Sequence, residues 1–316
     1  MVEPKWSVGK STNVRTVFIV LTVSTILSLV WSDTARAAAQ VHDLSLVAAD
    51  TAIREGVALI DQGRWDEARK AFERAIAWNS DVALAHYNLG VTLGVLGRGN
   101  EAISAYRAAI RRQPALIEAQ VNLGVELYKQ DRPTEALDAL RQAVRKSPSH
   151  VAAHHNLGVV LAGVGKLEEA LSVLARASAL APENLAIQHA LAETHYNLGV
   201  RYAGERRWSE ALASYEVAIR FNRDLPEAWN GLGIALARTG RHESAVAMYD
   251  EALLRRPSFV AARYNLALSL VALGRYGEAM AACQTALQRQ PNLRPAVQLL
   301  DDLRRLIAPA SRRAGV

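Results

Sequence analysis

The sequence predicts an all-α fold: a solenoid of seven helical hairpins with a C-terminal capping helix, preceded by an N-terminal signal segment. Two observations predict the hairpins. A glycine recurs every 34 residues, a spacing that is interrupted once, after Gly158, and two alanines follow it at constant distances, as Ala68 and Ala75 follow Gly56. We number the repeat so that this glycine stands at position 8 and the alanines stand at positions 20 and 27. Position 8 holds Gly56, Gly90, Gly124, Gly158, Gly199 and Gly233, with Ala267 in the seventh copy.

Each copy predicts two short antiparallel helices. Small residues at positions 8, 20 and 27 let the helices approach closely, and larger apolar residues at positions 7 and 24 fill the space between them. Glycine marks the turn at Gly63, Gly97, Gly165, Gly240 and Gly274. Proline ends the second helix at Pro114, Pro148, Pro182, Pro257 and Pro291. Side chains expected to cap the start of the second helix are Asp66, Asn100, Thr134, Glu168 and Ser209.

The predicted boundaries are a lead-in at 40–48, repeats one to four at 49–184, repeats five to seven at 185–293, and a capping helix with a tail at 294–316. The capping helix is expected to place Val297, Leu300, Leu303 and Ile307 on one apolar face.

The glycine spacing widens by seven residues between Gly158 and Gly199. Seven extra residues are almost two helical turns, which lengthens the first helix of repeat five at its start. Two interpretations stay open. The extension is either a short turn packed on Ala179 and Leu180, or a docking ridge of Leu185, Ile187 and Leu191 for a partner or a second copy.

The pattern resembles the tetratricopeptide repeat over residues 49–293. The most complete copy contains Trp229, Leu232, Gly233, Ala245, Tyr249, Ala252 and Pro257. Departures are Ala267 for the glycine, Cys283 for the aromatic residue, and Ser80 and Arg223 for the proline. The resemblance implies a right-handed superhelix in which the first helices line a concave groove that binds other proteins. Each repeat then buries apolar surface only against its neighbours.

The N-terminal segment 1–39 has the features of a secretory signal. A basic stretch precedes the uncharged segment from Thr16 to Trp31, and small residues follow at 35–39. We expect cleavage after Ala37 or Ala39 and a periplasmic or otherwise exported protein. The alternative is an uncleaved inner-membrane anchor through Thr16 to Trp31, which also places the repeats outside the cytoplasm.

Charge and composition argue against several function classes. The net charge is +6, but basic residues such as Arg111, Arg145 and Arg220 fall in the last turns of second helices, where they oppose the helix dipole. The alternative is a convex basic stripe that contacts anionic lipid or acidic protein. We expect no nucleic-acid partner, because charges are almost absent from the groove and the protein is expected outside the cytoplasm. Cys283 is the only cysteine, which excludes an intrachain disulfide. His150 and His154 lack further ligands, so we expect no metal, and we find no catalytic motif and no cofactor site.

The candidate binding site is the groove that the resemblance implies. Asparagine recurs at position 6, and a row of amides can pair with the backbone of an extended peptide. The predicted peptide-binding residues are Asn88, Asn122, Asn156, Asn197 and Asn265, together with Tyr87, Tyr196, Tyr264 and Tyr128. The other interpretation is that these asparagines serve solubility and hairpin geometry.

We therefore expect a non-catalytic scaffold that binds segments of partner proteins and assists the assembly of an envelope complex. One alternative is the substrate-recruiting arm of an enzyme, such as a glycosyltransferase, acting in trans. The other is a self-assembling structural oligomer.

Overall fold

The computed structural model describes residues 36 and 40–313, with side chains as far as residue 307. The predicted signal segment, residues 1–39, lies outside this part of the chain except for residue 36. No helix within the described residues has both the length and the apolar character needed to cross a bilayer.

The described residues form fifteen helices joined by short turns, without a strand. The first helix, α1, spans 40–61. It is followed by α2 (Trp65–Trp78), α3 (Ala83–Val95), α4 (Gly99–Arg112), α5 (Ile117–Lys129), α6 (Pro133–Lys146), α7 (Val151–Gly163), α8 (Leu167–Leu180), α9 (Leu185–Gly204), α10 (Trp208–Phe221), α11 (Pro226–Arg238), α12 (His242–Arg255), α13 (Val260–Ala272), α14 (Tyr276–Arg289) and α15 (Arg294–Arg313). The odd-numbered helices from α1 to α13 are the first helices of the hairpins, and the even-numbered ones are the second helices. The predicted all-helical repeat fold is confirmed.

The chain divides into two compact units, residues up to Ala119 and residues from Gln120 onward. In the first unit, the position 8 glycines face the large residues at position 24. A Cβ at Gly56 would lie 2.6 Å from the Phe72 ring, and a Cβ at Gly90 would lie 2.6 Å from the Tyr106 ring. Glycine is therefore required at these two sites because any side chain would overlap the ring.

The second unit repeats this contact with one instructive exception. Gly233 faces Tyr249 in the sixth repeat, where a Cβ would lie 2.6 Å from the ring. In the seventh repeat, Ala267 supplies that Cβ and the facing residue is the small Cys283, and both are fully buried. The two departures from the repeat pattern therefore compensate each other in volume.

The turns between paired helices all contain a residue with positive φ. Five of these are the predicted glycines, with φ between 72° and 80°. The other two hairpins use Asp131 at 56° and Arg206 at 58°. Asp tolerates this left-handed conformation better than Arg does, so the Arg206 turn carries more backbone strain.

The predicted caps of the second helices are wrong. The residue that precedes each of these helices is basic and makes no side-chain capping bond. In most repeats this residue instead forms an ion pair with a glutamate three residues later, as in Arg98 Nε to Glu101 Oε1 at 2.7 Å and Arg132 Nε to Glu135 Oε1 at 2.8 Å. The sequence shows this pattern as Arg-x-x-Glu after the turn. The predicted capping residues lie inside the helices' first turns, too late in the chain to occupy the cap.

The seven extra residues lengthen α9, which has 20 residues where the other first helices from α3 to α13 have 13. The prediction of a three-residue docking ridge is wrong. Leu185 is exposed, but Ile187 and Leu191 are only 1% and 3% exposed, and they pack against Leu174 and Ala177 of α8. The extension is thus a packed part of the array, which agrees with the alternative interpretation, although it contacts other residues of α8 than those predicted.

The start of α9 continues the register of repeat four. Ile187, Leu191 and Ala192 lie one regular repeat interval after Ala153, Leu157 and Gly158, and all three are buried as their counterparts are. The end of α9 follows a second register, because Gly199 faces Tyr215 of α10 as position 8 faces position 24 elsewhere. The start of α9 therefore stacks on repeat four in the register of that repeat. The end of α9 pairs with α10 in the register of repeat five, which is shifted by almost two turns.

The C-terminal helix α15 covers the last hairpin. Ala296, Leu300 and Leu303 are buried, and Leu300 contacts the cluster that contains Cys283. Val297 is 40% exposed, so the buried face of α15 is displaced from the one that the sequence predicts.

Candidate functional site

The surface of interest is the first-helix face, defined here as the side chains at positions 5, 6, 9, 12 and 13 of the first helices. Position 9 is aliphatic in every copy. The side chains at this position are Val57, Val91, Val125, Val159, Val200, Ile234 and Leu268. Val159, Val200 and Leu268 of the second unit are 38%, 47% and 43% exposed, so a solvent-facing row of aliphatic side chains runs over these helices, displaced once at the register change in α9.

The predicted tyrosines at position 5 lie partly between helices. The Tyr87 ring centroid is 6.2 Å from that of Tyr106, and the Tyr196 centroid is 5.9 Å from that of Tyr215. Burial raises the pKa of the Tyr196 and Tyr264 hydroxyls. The Tyr87 and Tyr196 rings thus lie against a ring of their own repeat, and all three tyrosines are partly buried, so each offers only part of its surface to a ligand.

The predicted asparagines differ in their surroundings. Asn156 Nδ2 donates to the backbone oxygen of Ala152 in the same helix at 2.8 Å, and Asn265 Nδ2 donates to Asn230 Oδ1 on the neighbouring first helix at 3.0 Å. Asn197 is exposed, and the other four are half-buried: Asn88, Asn122, Asn156 and Asn265. Part of the amide hydrogen-bonding capacity is therefore used within the protein.

The spacing of the asparagine row changes at α9. In the register that stacks on repeat four, the residue one repeat interval after Asn156 is Ala190, and Asn197 comes seven residues after Ala190. At 1.5 Å per residue, this displaces Asn197 by about 10 Å along the helix. A row of amides at constant rise, as the sequence predicts, does not continue through this junction.

A pocket of about 210 Å³ lies at this junction, and we call it the step pocket. It is lined by Tyr128, Val159, Ala162, Gly163, Ala190, Glu193, Thr194 and Asn197. The structure thus brings Tyr128 and Asn197, two predicted site residues, into one cavity. A Cβ at Gly163 would overlap the Tyr128 hydroxyl, so this glycine makes room for the tyrosine.

A second pocket of about 410 Å³ lies between α11 and α13, and we call it the Arg238 pocket. It is lined by Ile234, Ala237, Arg238, His242, Tyr249, Asn265, Leu268 and Ser269. The Nδ1 atom of His242 is buried without a hydrogen-bond partner among the described residues. Burial raises the pKa of Tyr249 to about 12, against the opposing effects of its hydrogen bond with Ser269 and of the nearby Arg238 charge.

The two pockets occupy equivalent places in the repeat. In the Arg238 pocket, positions 9, 12 and 13 of α11 face positions 6, 9 and 10 of α13. In the step pocket, the same positions of α7 face Ala190, Glu193 and Thr194, which hold positions 6, 9 and 10 in the register of repeat four. This equivalence shows directly that α9 stacks on α7 in the earlier register.

Position 4, which the sequence predicts to be a packing site, also makes a hydrogen bond that the sequence did not predict. Its side chain forms a hydrogen bond with the backbone oxygen of the residue six positions earlier, in the turn that precedes the helix. The pairs are His86 with Ser80, His154 with Pro148, Gln188 with Pro182, Trp229 with Arg223 and Arg263 with Pro257. The recurrence of a polar side chain at position 4 in successive copies is the feature of the sequence that could have predicted this hydrogen bond. In α9 this bond is made by Gln188, whereas His195 stacks on Phe221 with ring centroids 6.0 Å apart.

Metal and thiol chemistry receive no support in the described part of the chain. No group of three or more His, Cys, Asp or Glu side chains there could hold a metal ion. The His150 ring accepts a hydrogen bond from the Ala153 amide at 3.1 Å, as the cap of α7. Burial raises the pKa of the Cys283 thiol, which disfavours the reactive thiolate.

Antiparallel helix pairs that stack through small residues, with pockets between successive first helices, define a helical repeat protein. The sequence model of the tetratricopeptide repeat matches residues 53–117, 121–184, 196–253 and 239–293. The chain belongs to the tetratricopeptide repeat family. Proteins of this family are generally non-catalytic scaffolds for protein–protein interaction.

Solved structures share the fold at low sequence identity. The C-terminal part of a tetratricopeptide repeat protein from Cytophaga hutchinsonii is similar with a TM-score of 0.62 and 15% identity, over 78% of this chain and 99% of that one. A tetratricopeptide repeat protein from Parabacteroides merdae gives a TM-score of 0.52 and 14% identity, over 81% and 98%. PilF from Pseudomonas aeruginosa gives 0.51 and 19%, over 68% and 95%. A search among curated protein sequences found no significant match.

Proposed function

We propose that this protein is a non-catalytic scaffold that binds extended segments of partner proteins on its first-helix face. The observation that carries the proposal is the row of exposed aliphatic side chains at position 9 of the second unit, which is displaced once, at the register change in α9, and lies beside amide groups. Small apolar side chains of a peptide would fit against this row, and its backbone would pair with the amides that remain available.

The two ends of the array favour binding on this face over end-to-end stacking. Position 7 is leucine in the other repeats but is the exposed Glu55 in repeat one, where it pairs with Arg74 at 2.7 Å. At the other end, α15 carries Asp301 and Arg304 on its solvent side, 3.1 Å apart. Charged groups at both ends oppose the burial that stacking would require.

We also propose that the protein acts outside the cytoplasm and helps to assemble an envelope complex. The uncharged segment from Thr16 to Trp31 and the small residues at 35–39 support export. Fractionation of cells that produce the tagged full chain tests this point. Recovery of the repeats with cytosolic markers would remove the export proposal and leave the binding proposal intact.

A substitution series tests the binding face. Peptides that bind the full chain are first selected from a random library, and their affinity is measured by fluorescence polarisation. We expect Val159→Asp with Val200→Asp to weaken binding by at least about tenfold, because a carboxylate would be buried beneath the peptide. Leu254→Asp is the matched control, since Leu254 is an exposed aliphatic residue of the second helix α12. Equal losses in both proteins, or no loss in the double variant, would refute the proposed face.

A second substitution pair tests the amides. Asn122→Ala with Asn156→Ala should weaken binding of the same peptides while the far-ultraviolet circular dichroism and the melting temperature stay nearly unchanged. Unchanged affinity would assign these asparagines to solubility and hairpin geometry.

A further inference from the structure

We infer that the partner segment carries a basic and an acidic side chain about six residues apart, the basic one seated in the step pocket and the acidic one in the Arg238 pocket. The inference rests on the proposed function and adds the chemistry of the ligand. Its basis is that two equivalent pockets of the second unit carry opposite charges.

The step pocket is anionic because of the register change in α9. Glu193 lies one regular repeat interval after Val159 and occupies the place of the aliphatic row in the register that stacks on repeat four. Its side chain is exposed, and it forms no ion pair among the residues that the structure describes. The described lining of the pocket contains no basic side chain, and the Tyr128 hydroxyl and the Asn197 amide provide further acceptors for an ammonium or guanidinium group.

The Arg238 pocket has the opposite character. Its described lining contains the guanidinium of Arg238 and no carboxylate. Within the described part of the chain, Arg238 forms no ion pair either. His242, whose Nδ1 has no hydrogen-bond partner among the described residues, and Asn265 also line this pocket, so an entering carboxylate would meet a cation and polar side chains together.

The distance between the pockets sets the spacing of the two charges. The pockets are two first-helix intervals apart, about 16 to 20 Å at the usual interaxial distance, and the step in α9 adds about 10 Å along the helix direction. The combined separation is about 20 Å. An extended peptide covers it with about six residues at 3.3 Å each. Opposite charges at this spacing would fix the register of a segment that otherwise binds through its backbone.

The test measures the full chain by fluorescence polarisation against synthetic peptides of about twelve residues on an Ala-Val-Ser background. One peptide has Lys followed about six residues later by Glu, a second has the two exchanged, and a third has Gln at both places. We expect one of the two charged orders to bind at least about tenfold more tightly than the Gln peptide in low salt, with the advantage lost in high salt.

Charge exchange in the protein separates specific seating from general attraction. Glu193→Lys and Arg238→Glu should each weaken binding of the preferred peptide by at least about fivefold. The double exchange should reverse the preference between the two charged peptides. Glu216→Lys and Arg176→Glu are matched controls, because both residues are exposed on second helices and should leave the preference unchanged.

The outcomes distinguish this inference from the function beneath it. If the Gln peptide binds as tightly as both charged ones, or if the double exchange does not reverse the preference, the charge-pair inference is wrong and backbone binding stands. If no peptide binds while the protein remains folded by circular dichroism, both the inference and the proposed function are wrong.

Discussion

The compensating pair in repeat seven gives a quantitative prediction. In the other six repeats, a Cβ at position 8 would lie 2.5 to 2.6 Å from the nearest side-chain atom at position 24. Cys283→Tyr would place a ring against the Cβ of Ala267 at about this distance, and overpacking of this kind costs about 1–3 kcal/mol. Ala267→Gly alone should cost about 1 kcal/mol in helix propensity. The double variant restores the glycine–tyrosine contact of repeat six, so we expect a coupling energy of about 1–3 kcal/mol in its favour.

Urea unfolding followed by far-ultraviolet circular dichroism measures the four free energies on the full chain. Equal m-values across the set are required for the comparison. Gly277→Ala is the control, because Gly277 lies in the same hairpin and a Cβ there would meet nothing within 4 Å. Its effect should add to that of Cys283→Tyr. Additive effects of Ala267→Gly and Cys283→Tyr would refute the volume argument.

Three further predictions concern the turns, the long helix and pH. Arg206→Gly should raise the free energy of unfolding by about 1 kcal/mol, because glycine adopts the positive φ without strain, and Asp131→Gly should raise it less. A decrease in the urea midpoint of the Arg206 variant would contradict this prediction. Deletion of 185–191 restores the regular repeat spacing. Because the deletion removes almost two whole turns, the same face of the helix stays buried, and we expect a folded helical protein that is destabilised by a few kcal/mol, at about 1.5–3 kcal/mol for each large aliphatic residue lost. An unfolded product by circular dichroism would show that the long helix is indispensable. Burial, together with the Arg220 charge, lowers the pKa of His195 in the folded protein below its ordinary value of 6.5. The neutral ring therefore contributes to the free energy of unfolding above pH 6.5, and this contribution is lost as the pH falls through the lower pKa of the folded state. His195→Gln should therefore reduce the fall in melting temperature on acidification, whereas His189→Gln, an exposed change on the same helix, should not.

The repeat architecture could be predicted from the sequence because the small residues mark contacts between helices where a larger side chain does not fit. Gly233 and Ala245 occupy places where two helices meet, and such places recur with the repeat period. The start of the second helix could not be read in the same way. Polar residues such as Asn100 occur both in caps and in first turns, and only the backbone placed Arg98 at the boundary.

The candidate site was harder to predict because it depends on contacts between repeats. The sequence indicates that seven residues are inserted before Gly199, but an insertion of two turns leaves the same face buried in either register. Which residues then face α7 is decided by the packing of Ile187 and Leu191 on α8. The predicted peptide-binding residues consequently do not include Glu193, and the sequence places Asn197 in a regular row that the structure interrupts.

The reactivity of the buried Cys283 thiol measures local unfolding at the C-terminal end of the repeats. An alkylating reagent reaches this atom only when the surrounding cluster opens, because Cys283 is fully buried in a cluster with Ala267 of its own hairpin and Leu300 of α15. Arrays of repeats lose structure from their ends more readily than from their middle. The labelling rate of the native chain thus reports how often the C-terminal end frays, without any introduced fluorophore or engineered thiol.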